Sequence, residues 1–216
     1  MTDTLAIALS KGKMLEPALA LFKRVGLAPK DVPSDSRRLI FEHPASGTTL
    51  MIIRPSDVPT YVEYGAVDAG IVGADVLLEQ AADVYEPLDL KFGGCRLAVA
   101  APESAVKRNG RHGIKLRVAT KYPNLTERYF TQQGIPIEII KLYGSVELAP
   151  LVGLADRIVD LVSSGKTLRA HNLVVTDVIM ESTARLIVNR ASLKLKHKRV
   201  NDLIEALRAG LQGGRA

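Results

Sequence analysis

The sequence predicts an α/β protein built as two lobes, each a sheet with helices packed against it. Three observations carry this. Short aliphatic runs bounded by glycine, proline or polar clusters alternate with segments whose apolar residues recur at helical spacing. That alternation runs through twice, with a crossing at Gly93-Gly94 and a return near Ser182. Hydrophobic residues make up 47% of the chain and aromatic ones only 5%, with no Trp, which suits an aliphatic core. The expected domains are 1–92 plus 183–216, and 93–182; a chain of 216 residues supplies two lobes of about 100 residues each.

In the first lobe, Leu5 to Leu9 reads as a strand that empties into Ser10-Lys11-Gly12-Lys13. Leu15, Ala18, Leu19, Phe22 and Val25 then mark a helix, with Gly26 as its stop. Arg37 and Arg38 precede a possible strand ending at Phe41. Thr48 to Ile53 is β-branched and ends at Arg54-Pro55-Ser56-Asp57, where Ser56 or Asp57 caps a helix running to Tyr64. Asp68 to Gly73 is a short buried strand with a glycine turn, and Asp75 reads as the cap of a helix, Val76 to Gln80. The turn at Gly73 admits a nucleotide closely.

In the second lobe the expected strands are Cys95–Ala100, Leu116–Thr120, Ile137–Lys141 and Ile158–Val162. Residues 102–113 read as a polar loop, Leu125 to Gln133 as a helix, and Glu147 to Leu148 as part of a short helix after Tyr143-Gly144-Ser145. The pattern is indistinct from Leu173 until a strand at Arg185 to Asn189. A last helix carries Val200, Leu203, Ile204, Leu207 and Leu211; the basic run before it is a solvated face or a partner-facing patch.

The chemistry centres on Asp160-Leu161-Val162-Ser163-Ser164-Gly165-Lys166-Thr167. A strand ends in small, hydroxylated residues and one cation, which can turn successive amides and hydroxyls toward an anion. A helix starting at about Thr167 would add its dipole. Gly165-Lys166-Thr167 looks like the end of a Walker loop, but the first glycine of that motif falls on Asp160, which would repel polyphosphate. The same carboxylate can accept hydrogen bonds from vicinal ribose hydroxyls, which suggests a 5-phosphoribosyl ligand. An ordinary strand-to-helix turn is the plain alternative.

The net charge is +6, but the chain lacks aromatic residues interleaved with basic ones for base stacking. Its cations sit singly or in pairs at strand ends (Lys11, Lys13, Arg37, Arg38, Arg54, Lys121, Lys166), which favours a small, highly anionic ligand. No nucleic-acid or membrane partner is expected, since no apolar run approaches the roughly 18 residues of a membrane span. Met1-Thr2-Asp3-Thr4 shows no signal pattern and Cys95 stands alone, so a cytoplasmic protein without disulfide or cysteine metal site is expected.

Taken together, Leu9 to Lys13, Arg54 to Val62, Gly70 to Leu77, Val118 to Asn124, Tyr143 to Pro150 and Ala155 to Leu168 resemble the ATP phosphoribosyltransferase family over nearly the whole chain. The resemblance implies a two-lobed, periplasmic-binding-protein-like (type II) fold with the active site in the interlobe cleft. It implies transfer of the phosphoribosyl group of phosphoribosyl pyrophosphate to N1 of the adenine of ATP, releasing pyrophosphate, with Mg²⁺, as the first step of histidine biosynthesis. By position, Glu147, Asp160, Leu161, Val162, Ser163, Ser164, Gly165, Lys166 and Thr167 would hold phosphoribosyl pyrophosphate. Lys11, Gly12, Arg37, Gly73, Ala74 and Asp75 would bind ATP, and Lys13 and Arg37 would be catalytic. Metal ligands are not assigned.

Many relatives carry Arg where this chain has Lys13, and lysine keeps the charge without the bidentate fork. The chain resembles the short form, having one helix after Asn189 and no room for the regulatory domain of long forms. Such chains pair as homodimers and join a regulatory subunit resembling histidyl-tRNA synthetase. The residue inventory agrees with this chemistry. Adenine N1 already carries a lone pair, so the reaction needs fixed cations and ribose acceptors rather than a nucleophilic triad. The other reading is a small-anion-binding module of the same fold without turnover.

Overall fold

The computed structural model describes residues 4–29, 38–106 and 115–213. The chain divides into two compact units, 1–93 with 183–216, and 94–182. The first unit runs β1 (Leu5–Ser10), α1 (Leu15–Arg24), β2 (Ile40–His43), β3 (Thr48–Ile53), α2 (Val58–Glu63), β4 (Ala69–Gly73), α3 (Ala74–Gln80) and β5 (Tyr85–Asp89). The second holds β6 (Cys95–Pro102), α4 (Glu103–Val106), β7 (Leu116–Thr120), α5 (Pro123–Gln132), β8 (Ile137–Lys141), β9 (Arg157–Val162), α6 (Lys166–Ala170) and β10 (Leu173–Ser182). The chain then returns to the first unit with β11 (Ala184–Val188), α7 (Arg190–Leu195) and α8 (His197–Gln212).

In the first unit the strand order is β2-β3-β1-β4-β11-β5. β1 lies parallel between β3 and β4, so the three neighbours end on one side of the sheet. Alternation along β1 supplies both layers of the core. Ile7 and Leu9 join Leu15, Phe22, Leu203 and Leu207 from α1 and α8, while Ala8 joins Val58, Val62 and Leu77 from α2 and α3. This burial on both faces is why the strands read as continuous apolar runs.

The second unit has the order β10-β6-β9-β7-β8, with β7 parallel to both β8 and β9, and β6 antiparallel to β9 and β10. Leu97, Val99, Val118 and Val159 pack with Leu125 and Phe130 of α5; Ala98, Ala100, Ala119 and Ile158 pack on the other face.

Several elements differ from expectation. The indistinct stretch after Leu173 is the ten-residue strand β10. Its register against β6 shifts twice, between Val175 and Asp177 and between Val178 and Met180, and each shift breaks the two-residue alternation. β5 and α7 were not anticipated. Asp57 occupies the N-cap of α2, but no side chain caps that helix; Ser56 Oγ instead donates to Asp57 Oδ1. Asn189 caps α7 by accepting from Ser192 N, and its Nδ2 donates to Val62 O and Glu63 O at the end of α2.

At the rim of the first unit, Asp89 accepts from the backbone and side chain of Lys91 and from Thr183 Oγ1, and pairs with Arg185. Burial alone would raise its pKa, but these hydrogen bonds and the Arg185 charge outweigh that and bring it down to about 2. A depressed folded-state pKa means stability present above the unfolded value near 4 and lost as pH falls toward 2. Asp89→Asn is expected to cost about 1 kcal/mol in urea unfolding at pH 6, after discounting for solvent screening, with the difference fading by pH 2. A difference independent of pH would sink the assignment.

Candidate active site

Three neighbouring parallel strands of the first unit end together. β1 delivers Lys11, Gly12 and Lys13, β3 delivers Arg54, and β4 delivers Gly73, Ala74 and Asp75. Lys11 N donates to Ile53 O at 2.8 Å, and Ser10 Oγ to Ile71 O at 2.7 Å, tying the three ends. Lys11, Gly12 and Lys13 are exposed, whereas Gly73, Ala74 and Asp75 are buried. Gly73 is a close-approach glycine: a Cβ there would collide with Asp75 Oδ1 and meet Met14 Cε at 3.0 Å. The N-cap of α3 is Gly73, with Asp75 buried in the first helical turn. The capping role read for Asp75 is therefore corrected: the helix begins two residues earlier, at Ala74, and Asp75 folds back over Gly73. Arg37 lies outside the described residues.

In the second unit, β8, β7 and β9 also end side by side in parallel. β7 pairs with β9 only as far as Thr120 opposite Val159. There the buried Thr120 hydroxyl donates to Val159 O at 2.8 Å and accepts from Tyr122 N at 2.9 Å, turning the chain out of the sheet. Lys121 and Asp160 are the residues that follow this last partnered pair on their two strands. On its other side Asp160 faces Ala98 of β6. A short 3-10 turn after β8, Val146–Leu148, carries Glu147.

Asp160 is half-buried, and its Oδ1 accepts from Leu161 N at 2.8 Å. Burial, followed by the nearby Glu147 charge, raises its carboxyl pKa; the Leu161 hydrogen bond and the Lys121 charge act in the opposite sense. The structure thus brings Asp160 and Glu147 within electrostatic reach of each other. It also places Lys121 in the same field, a residue that sequence reading had counted only among cations at strand ends.

β9 passes through Leu161 and the buried Val162 into the loop, where Ser163, Ser164, Lys166 and Thr167 are exposed. Gly165 adopts a left-handed φ of +70°, which a side chain would strain. α6 begins at Lys166 and has five residues, so its dipole is small; the loop's amides and hydroxyls carry the anion-binding capacity here. Sequence reading missed Arg169, whose Nη2 donates to Ser164 O at 3.0 Å and braces the loop from below while adding a cation. Its signal was one turn of helix away from the motif.

Two surface cavities lie elsewhere. One of about 460 Å³ is lined by residues such as Tyr85, His197 and Arg208, and one of about 630 Å³ by residues such as Glu103, Leu151 and His171. The loops described above are open to solvent, as suits large anions. Among the described residues no group of three or more His, Cys, Asp or Glu could cage a metal ion.

A family model described as ATP phosphoribosyltransferase matches residues 54–209. ATP phosphoribosyltransferase 2 of Geobacter sulfurreducens is 55% identical over 208 residues, covering 96% of this chain and 98% of its own. The ATP phosphoribosyltransferase of Caldanaerobacter subterraneus is 50% identical over 212 residues, covering 98% of this chain and 100% of its own. Among solved structures, the ATP phosphoribosyl transferase (HisG:HisZ) complex from Thermotoga maritima superposes with a TM-score of 0.84 at 34% identity, covering 97% of this chain and 100% of that one. The alkanesulfonate-binding protein SsuA from Xanthomonas axonopodis matches with a TM-score of 0.59 at 14% identity, covering 96% of this chain and 73% of that one. This last likeness shows the fold alone, the periplasmic-binding-protein-like (type II) class. High identity across nearly the whole chain places it in the ATP phosphoribosyltransferase family.

Proposed function

We propose that this chain transfers the 5-phosphoribosyl group of phosphoribosyl pyrophosphate to N1 of the adenine of ATP, releasing pyrophosphate, as the first step of histidine biosynthesis. The observation that carries this reading is the pairing of Asp160 and Glu147 at the head of an exposed, hydroxylated loop. Two carboxylates accept from vicinal sugar hydroxyls, and the Ser163–Thr167 segment with Lys166 takes the 5-phosphate. Leu161 and Val162 set the reach between the two subsites.

Lys11, Gly12, Gly73, Ala74 and Asp75, with Arg37, are proposed for ATP; Lys13 and Arg37 meet the charge that grows on the departing pyrophosphate. Fixed cations of this kind favour the transition state over the ground state. With no protein cage for a metal among the described residues, the reading has Mg²⁺ enter on the substrate phosphates, as this ion commonly does. Bound there, it would supply neutralisation of charge on the leaving group. No catalytic base is needed at N1.

A homodimer joined by a regulatory subunit resembling histidyl-tRNA synthetase, working in the cytoplasm, completes the proposal. The Thermotoga maritima relative was solved as a HisG:HisZ complex. No helix among the described residues is long and apolar enough to cross a membrane.

The test mixes the purified chain with ATP, phosphoribosyl pyrophosphate, Mg²⁺ and pyrophosphatase, and follows the near-ultraviolet absorbance of N1-ribosylated ATP. Product is the expected result, from the chain alone or once a regulatory subunit is added. Tight binding of a small anion without any turnover in either case would return the protein to the solute-binding class.

A further inference from the structure

The loop after β7 carries a cation that the proposed substrate contacts do not use. Lys121 is exposed. Its place is fixed: Thr120 is pinned to Val159 O, and Tyr122 N is pinned to Thr120 Oγ1, so the residue between them must leave the sheet beside Asp160. From the other side of β7, Leu142 N donates to Thr120 O at 2.9 Å and leads the chain toward the turn that holds Glu147.

Few other charges face this group. β6 places Ala98 opposite Asp160, with Arg96 further along opposite Val162. Lys141, at the end of β8, lies over the Tyr143 ring at 5.6 Å. Arg169 is turned to the Ser164 carbonyl, and Lys166 belongs to the phosphate loop. Lys121 is thus a cation whose field reaches Asp160, the member of the carboxylate pair on the neighbouring strand.

We propose, resting on the phosphoribosyl reading above, that Lys121 is a positioning residue of the sugar site, whose ammonium offsets the repulsion between Glu147 and Asp160. Two like charges at one site disfavour double ionisation, and a protonated carboxyl loses part of its capacity to accept from the sugar hydroxyls. A cation beside the pair restores that capacity at a given pH. Its direct attraction for the substrate is secondary, because its charge already acts on Asp160. The Lys121 charge acts on Asp160 in the sense this role needs.

The experiment measures the affinity of the intact protein for phosphoribosyl pyrophosphate by calorimetry from pH 5.5 to 8.5, for the wild type, Lys121→Met and Lys121→Arg. The substrate's own titration is common to all three. In Lys121→Met the acid-side loss of affinity is expected to set in about half a pH unit to one unit higher, giving roughly three- to tenfold weaker binding on that acid limb and convergence on the alkaline side. Lys121→Arg, which keeps the charge, is expected to follow the wild type. A Lys121→Met curve displaced by the same factor at every pH would mean a plain phosphate contact and overturn the proposal, as would an unchanged curve. A wild type that binds no phosphoribosyl pyrophosphate would overturn the functional reading itself, which the variants' behaviour alone cannot do.

Discussion

Asp160→Asn is expected to weaken phosphoribosyl pyrophosphate binding by about 2 to 4 kcal/mol, roughly thirtyfold or more, and to leave the fold standing. Two charge-assisted hydrogen bonds to ribose have that worth together. Stability is expected to move the other way. Burial, then Glu147, raises the Asp160 carboxyl pKa. A folded-state pKa above the unfolded one means that the native state binds more protons in that window. Stability therefore falls as pH rises through it, and the ionised carboxylate is a net cost at neutral pH. Replacing it by an uncharged amide of the same shape removes that cost. Urea unfolding at pH 7.5 should give the variant equal or greater stability, while calorimetry shows the lost affinity. Unchanged affinity would sink the ribose role. A large loss of stability would show that Asp160 serves the fold instead.

Asp68→Ala is expected to do the reverse, costing about 3 kcal/mol of stability without touching a substrate loop. The buried Asp68 carboxylate accepts from Ala6 N at 2.9 Å, Ser192 Oγ at 2.7 Å and Lys196 Nζ at 2.8 Å. It binds the start of β1 to the returning chain at α7, and Asn189 N donates to its backbone carbonyl. Alanine would leave a backbone amide and a half-buried ammonium short of partners, though Lys196 keeps its bond to Thr4 O. Equilibrium urea unfolding measures the loss; a change below about 1 kcal/mol would show that water replaces the carboxylate at little cost.

The α/β class and most strands were legible because burial on both faces makes parallel strands continuous aliphatic runs, as in Leu5–Ser10 and Ala69–Gly73. The irregular β10 was not, because its bulges erase the period that sequence reading depends on. Helix starts misled for a related reason. Asp75 has the chemistry of a cap, yet it lies inside the helix, which starts two residues sooner than its sequence signal, at Ala74 with Gly73 as N-cap.

The candidate site divides the same way. The contiguous stretch from Asp160 to Thr167 reads, from sequence alone, as a hydroxylated loop headed by a carboxylate, since residues adjacent in sequence need no fold to bring them together. By itself the sequence determined the family, the aliphatic two-layer cores and that loop. Only tertiary structure decided which residues from other strands share its field. Glu147 and Lys121 reach Asp160 because β8, β7 and β9 run parallel and end together, and Thr120 releases the chain at that point. Strand order and register are set by packing among distant segments, so no local pattern encodes them.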